Sequence, residues 1–213
     1  SNFQWDFNGE STSTEYSPTL VFDEPGEKEI KLVETDINSC TDSVSETVII
    51  NPIPQAGFVA ENVCDGESVQ FLNISAISKG EMTFTWNLGN ELASSDKSPE
   101  HTYEGPGEYE IRLIADSKGC SDTVAHNITI HPLPEVDLGE NIATCGDSIT
   151  LDAENTGSIF TWSDLSTLQT LKVKNSGSYW LEVENIFGCV HSDTLDIQLN
   201  SPVSPDLGED ASF

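Results

Sequence analysis

Thr83-Phe84-Thr85-Trp86-Asn87-Leu88, then Gly107-Glu108-Tyr109-Glu110-Ile111-Arg112-Leu113, then Lys118-Gly119-Cys120 is the passage that decides the fold. A Trp stands in a short run of strand formers, a Gly opens an alternating segment, and a Cys follows a tight turn. Period-two alternation puts Tyr109, Ile111, Leu113 and Ala115 on one face, as in a strand with one buried side. The three landmarks occur twice more. Trp5 lies in Phe3-Gln4-Trp5-Asp6-Phe7 and Trp162 in Phe160-Thr161-Trp162-Ser163. Gly26 and Gly177 open alternating segments, and Cys40 and Cys189 follow turns. Trp to Gly is 21, 21 and 15 residues, and Gly to Cys is 14, 13 and 12. A period of roughly 70–80 residues is too long for a solenoid repeat and suits a small all-β domain.

Linkers fall where this period requires them. Asn51-Pro52-Ile53-Pro54 and His131-Pro132-Leu133-Pro134 share one form, and Ser201-Pro202-Val203-Ser204-Pro205 is a variant. Alternating prolines hold the backbone extended and cannot join a central ladder. The chain therefore divides into a truncated module at 1–54, modules at 55–134 and 135–205, and the start of a further module at 206–213. Within the middle unit, strands are expected over 68–73 (Val69 and Phe71 inward), 83–88, 108–116 and 123–131, with Val124, Ile128 and Ile130 as apolar residues of the last. Gly-containing turns separate them, and no helical period of useful length appears. The expected fold is all-β, with two-sheet sandwiches in an extended array, a core Trp in each, and few contacts across a linker.

The chain has five Cys. Cys64 and Cys145 precede early strands of successive units, and Cys120 and Cys189 open the last strands of the same units. These matched positions imply disulfides within each module, Cys64–Cys120 and Cys145–Cys189, and hence an oxidising, extracytoplasmic home. Cys40 is left over, because its unit lacks the early strands, which implies a cut inside a module. At the other end, Leu138-Gly139-Glu140-Asn141-Ile142-Ala143-Thr144 is echoed by Leu207-Gly208-Glu209-Asp210-Ala211-Ser212-Phe213, so a further module is expected there.

The charge is −29, from 37 acidic and 8 basic residues, and the acidic excess is spread over all three units. Such a surface repels phosphate backbones and anionic lipid, which disfavours nucleic acid and membrane surfaces as partners. No apolar run approaches the ~20 residues of a membrane-spanning helix. The four His are scattered, and no Ser/His/Asp set, HExxH, Cys-x-x-Cys or phosphate-binding Gly loop is present, so neither enzyme chemistry nor a zinc site is implied. No cofactor is required. Calcium is the one candidate, at Asp137, Glu140, Asp206, Glu209 and Asp210 beside the linkers, where oxygen-rich junctions could stiffen a rod; solvated surface acids are the competing reading.

The first two units resemble polycystic-kidney-disease (PKD) repeats, immunoglobulin-like sandwiches. The matching residues are Trp5-Asp6-Phe7-Asn8-Gly9, Trp86-Asn87-Leu88-Gly89-Asn90, Pro99-Glu100-His101-Thr102-Tyr103 and Gly107-Glu108-Tyr109-Glu110-Ile111-Arg112-Leu113. Both units depart from the family's Gly-Asp-Gly turn, and the first also lacks its His and Tyr. The third unit, with Cys145-Gly146-Asp147, Trp162-Ser163-Asp164, Ser176-Gly177-Ser178-Tyr179 and Gly188-Cys189, resembles the immunoglobulin-like repeats of large Bacteroidota surface proteins, gliding-motility adhesins and other type IX-secreted proteins among them. That resemblance implies a non-catalytic region of a secreted or cell-surface adhesin, serving as stalk and interaction surface toward an extracellular protein or polysaccharide, with neighbouring modules as further partners. An accessory region of a secreted hydrolase and a passive filament are the alternatives. Asp42-Ser43-Val44, Asp122-Thr123-Val124, Asp147-Ser148-Ile149 and Asp193-Thr194-Leu195 resemble the O-glycosylation signal of the same group, which makes Ser43, Thr123, Ser148 and Thr194 candidate acceptors; a turn Asp before an alternating strand gives the same pattern. Asn73-Ile74-Ser75 and Asn127-Ile128-Thr129 fit the N-glycan pattern.

Overall fold

A computed structural model describes residues 1–200, all of whose regular structure is β. Pro202, Pro205 and the module start expected at 206–213 lie outside the described residues. By contacts the chain forms two compact units: residues 1–61, 69–101 and 109–128, and residues 62–68, 102–108 and from Thr129 onward.

The first four strands, β1 (Asn2–Phe7), β2 (Ser11–Ser13), β3 (Gly26–Thr35) and β4 (Thr41–Ile50), form one antiparallel sheet in the order β2-β1-β3-β4. Alternation and register gather Trp5, Phe7, Ile30, Leu32, Val44 and Val48 on one face. Phe7 is buried, while Trp5 and Leu32 are only half-buried and Val44 is exposed. Buried Lys28 ends among this apolar material with Glu10 as its ion-pair partner and the Phe22 ring nearby. The pairing holds the exposed Glu10 carboxyl below its usual range, chiefly through the lysine hydrogen bond.

The middle stretch builds β5 (Phe58–Val59), β6 (Val63–Cys64), β7 (Ser68–Gln70), β8 (Leu72–Asn73), β9 (Thr83–Asn87), β10 (Ala93–Ser94), β11 (Glu100–Thr102), β12 (Gly107–Ser117) and β13 (Cys120–His131). A five-stranded sheet runs β10-β9-β12-β13-β6, with β11-β7 and β5-β8 as small pairs. Val69 and Phe71 are buried as expected, but the single strand expected over 68–73 is two, with Phe71 N–H donating to the Pro99 carbonyl. Trp86 is fully buried against Phe58 and Phe71, with ring centroids 5.2 and 5.8 Å away. Ile111, Leu113 and Ala115 line the same core, each with no exposed surface. Gly89 turns the chain after β9 at φ +86°, and a Cβ there would lie 2.9 Å from the Glu110 carbonyl, so a side chain is excluded by both conformation and space.

The last six strands are β14 (Ile142–Cys145), β15 (Ile149–Asp152), β16 (Ile159–Trp162), β17 (Thr170–Val173), β18 (Gly177–Glu184) and β19 (Val190–Asn200). They form the sheets β14-β19-β18-β16 and β15-β17, closed over a core of Trp162, Leu171, Val173, Leu181, Val183, Leu195 and Ile197. Two facing sheets with alternating inward residues make the immunoglobulin-like sandwich expected from the sequence.

The indoles of the three repeated Trp each donate to a carbonyl six to ten residues further along the chain: Trp5 to Glu15 at 3.1 Å, Trp86 to Asp96 at 2.9 Å and Trp162 to Leu168 at 2.8 Å. At Trp86 and Trp162 the indole thus fills the core with its rings and anchors a later segment with its one donor.

Candidate functional site

The repeated features converge on the end of each sandwich where the chain leaves its last strand. The edge strand β6 pairs parallel to β13, placing Val63 opposite Ile130 and Cys64 opposite His131. In the third sandwich β14 pairs parallel to β19, placing Cys145 opposite Asn200. The next residue in each case donates its N–H to that final carbonyl, Asp65 to His131 at 2.8 Å and Gly146 to Asn200 at 3.2 Å. Asn side chains fasten the same edge: Asn62 Oδ1 accepts from Thr129 N–H, and Asn141 Oδ1 from Asp196 N–H.

This register corrects the disulfides expected from matched positions. Cys64 is bonded to Cys189, 125 residues away, while Cys120 and Cys145 are free thiols, as is the exposed Cys40. Cys120 opens β13 and His131 ends it, so the eleven-residue rise puts Cys120 about 36 Å along the strand from the level of Cys64 at ~3.3 Å per residue. Cys189 immediately precedes β19, at whose far end Asn200 lies opposite Cys145. A disulfide tolerates a Cα separation of only about 7 Å. An edge strand parallel to the last strand therefore carries its cysteine to the opposite end of the sandwich from the turn cysteine.

The bond belongs to a larger contact within the second unit. The turn before β19 is built by Asn185, whose Oδ1 accepts from Phe187 N–H and Cys189 N–H and whose N–H donates to the Cys189 carbonyl. Its Nδ2 donates to the Pro132 carbonyl at 2.8 Å. Phe187 stacks on His131 with centroids 4.2 Å apart and planes within 8°, and Cys189 is buried. The expectation that few contacts cross a linker is thus corrected at Pro132: a linker carbonyl, the last residue of β13 and the edge cysteine are all engaged by one turn. The sequence carries a sign of this turn, for Asp36 does the same before Cys40. Asp36 Oδ1 accepts from Asn38 N–H and Cys40 N–H, and these backbone bonds, that from Cys40 first, hold its exposed carboxyl below the usual range.

Among the Asp-Ser/Thr-aliphatic tripeptides, Asp122 Oδ2 accepts from Ala56 N–H at 2.9 Å and Asp193 Oδ2 accepts from Leu138 N–H at 2.7 Å. Both carboxylates clasp the segment entering a sandwich to that sandwich's last strand. The candidate acceptors Ser43, Thr123, Ser148 and Thr194 are all exposed. Asn73 is not an accessible glycan site in this fold, because its Nδ2 is buried while its Oδ1 accepts from Ser75 N–H; Asn127 is exposed.

Of the calcium candidates, Asp137 Oδ1 accepts from Gly139 N–H, and Asp206, Glu209 and Asp210 lie outside the described residues. Among the described residues no three His, Cys, Asp or Glu side chains gather as a metal-binding group, and no helix is long and apolar enough to cross a membrane. A cavity of about 380 Å³ within the first unit is lined by Pro25, Ile49, Ile50, Pro52, Lys79 and Lys118, among others.

The fold and its recurring edge, turn and Trp positions define a set of tandem immunoglobulin-like β-sandwich repeats. Residues 49–130 match the family described as PKD domain, so the repeats include a PKD domain. The chain is 25% identical over 134 residues, 61% of its length, to pre-pro-metalloprotease PrtV of Vibrio cholerae, and 28% identical over 92 residues, 41% of its length, to a microbial collagenase of Vibrio alginolyticus. It spans only 14% and 11% of those two proteins. Among solved structures it is similar to the PKD1 domain of Vibrio anguillarum Epp, with 31% identity over 38% of this chain and 98% of that one and a TM-score of 0.36.

Proposed function

We propose that this chain is a non-catalytic repeat region of a large secreted or cell-surface adhesin, acting as a stalk and as an interaction surface for extracellular protein or polysaccharide. The carrying observation is the Cys64–Cys189 bond. A pull on the two ends of the chain would enter at Cys64 and leave at Cys189, bypassing residues 65–188, which include Trp86, Trp162 and most of the residues packed on them, though not Phe58, Leu195 or Ile197. Such a covalent bypass suits a part that transmits load, and the bond itself suits an oxidising extracellular setting.

Force spectroscopy on the chain held at its ends tests the load-bearing role. Reduction should add a contour-length gain of roughly 430 Å, from 125 residues at ~3.5 Å each, that is missing from the oxidised chain. The same gain in both states would remove the stalk reading. Saturable retention on immobilised extracellular polysaccharide or matrix protein supports the adhesive role, and its absence from both would leave a passive filament. The accessory-region reading is favoured by one observation, the likeness to a metalloprotease and a collagenase. It requires a catalytic domain in the same polypeptide whose turnover of insoluble substrate falls when this region is deleted.

A further inference from the structure

Two positions recur in register. The edge cysteine stands opposite the last residue of a sandwich's final strand: Cys64 opposite His131 and Cys145 opposite Asn200. The residue after each donates to that same final carbonyl. An Asn clasp holds both edges, Asn62 to Thr129 and Asn141 to Asp196. The turn cysteine stands where an Asx side chain closes the loop before a final strand: Cys189 under Asn185 and Cys40 under Asp36. Each of these turns also returns the Cys carbonyl to the N–H of its Asx residue. One edge cysteine and one turn cysteine, from successive sandwiches, are bonded to each other.

We infer that this bond is one link of a repeating head-to-tail scheme, in which the edge cysteine of each sandwich bonds the turn cysteine of the next. Cys145 is then the edge half of a second link. Its occupant is the turn cysteine of another sandwich of this type, as Cys189 is the occupant at Cys64. Three features argue for this occupant over a small thiol or a chance dimer. Cys145 is exposed at the end of its strand. The bonded pair shows what seats at the equivalent end, namely a turn that also stacks on the exit residue and hydrogen-bonds the linker carbonyl. The sequence spacing agrees, since Asn200 precedes Asp206-Leu207-Gly208-Glu209 by the interval that separates His131 from Asp137-Leu138-Gly139-Glu140. Each link forms by thiol–disulfide exchange with a disulfide oxidant: the two thiols lose two protons and two electrons, the S–S bond forms, and the oxidant leaves as a dithiol. Cys40, held in the same kind of turn as Cys189, is placed to be the receiving half of such a link.

The test uses the chain through Asn200 with a second copy of residues 132–200 appended directly after it, refolded with oxidised and reduced glutathione. Non-reduced digestion and mass mapping should find Cys145 bonded to the appended copy's turn cysteine, alongside Cys64–Cys189. In the Cys145→Ser variant that appended turn cysteine should become alkylatable, while Cys64–Cys189 persists and reports that the sandwiches still fold. Three results would overturn the scheme: Cys145 remaining alkylatable while Cys64–Cys189 forms, Cys145 bonded to Cys40 or Cys120 instead, or failure of Cys64–Cys189 itself to form.

Discussion

Cys64 stands opposite His131, not beside Cys120, although Cys120 begins the strand that His131 ends. That register puts Cys120 out of reach, and Cys189 is the partner to which Cys64 is bonded. Peptide mapping of the non-reduced chain should recover Cys64 with Cys189 and leave Cys40, Cys120 and Cys145 alkylatable. Cys64→Ser should release Cys189 as a third-sandwich thiol. In the chain-entropy view, closing 125 residues stabilises by about 5 kcal/mol at most. The variant should therefore melt measurably earlier by calorimetry, with its sheets still formed below the transition. Recovery of a Cys64–Cys120 or Cys145–Cys189 peptide would show the register to be wrong.

The three repeated Trp should not be equivalent. Trp86 and Trp162 are fully buried between two sheets, whereas Trp5 is half-buried on one. Trp162→Ala deletes the centre of its core and strands the Leu168 carbonyl, and should cost roughly 3–5 kcal/mol. Trp86→Ala should cost a similar amount, and Trp5→Ala clearly less, about 1–2 kcal/mol, for the smaller area it buries. Denaturant unfolding followed by far-UV signal checks the ranking, and a Trp5→Ala loss equal to the other two would contradict it.

Much of this was legible in the residues. The Trp, alternating-strand and Cys landmarks placed β9, β12 and β13 and their counterparts, because a period-two apolar pattern with one large aromatic has few other solutions. The short edge strands β5, β6, β10 and β11 were not legible: two or three residues carry no periodicity, and except for β10, which pairs with the neighbouring β9, their strand state is fixed by a partner further away along the chain. The disulfide was missed for the same reason. Equivalent positions in successive units were visible, but whether an edge strand runs parallel or antiparallel to the last strand, and so which end its cysteine reaches, is a tertiary fact. The Asx turns at Asp36 and Asn185 were visible only as residues before a Cys, and their hydrogen-bonding role needed the backbone path.

Asp193→Ala should loosen the entry to the third sandwich without unfolding it. The carboxylate accepts from Leu138 N–H at 2.7 Å, and removing the acceptor leaves a part-buried donor unpaired, at a cost of about 1–3 kcal/mol. Hydrogen exchange should quicken at the Leu138 amide and its neighbours while the amides of β18 keep their protection. Asp122→Ala should do the same at Ala56. Unchanged exchange at both amides would mean that the clasps contribute nothing, and would leave glycan attachment as the better reason for those aspartates.

Asp36 supplies a pH-dependent element. Its carboxylate accepts from the amides of Cys40 and Asn38, and these bonds lower its pKa in the folded chain below the ordinary 3.8. A depressed folded pKa means that the unfolded chain binds the proton more readily. The contribution is therefore full above about pH 4–5 and is lost as pH falls through the folded value. The turn before Cys40 should accordingly hold its shape at neutral pH and open in acid, seen as collapse of the downfield-shifted Cys40 and Asn38 amide resonances in an NMR titration. Asp36→Asn keeps an acceptor oxygen, as Asn185 does in the third sandwich, so that variant should retain the turn and lose its acid sensitivity. A carboxyl titrating at or above its ordinary value, or an Asn variant that opens in acid like the parent, would show that these bonds do not control the turn.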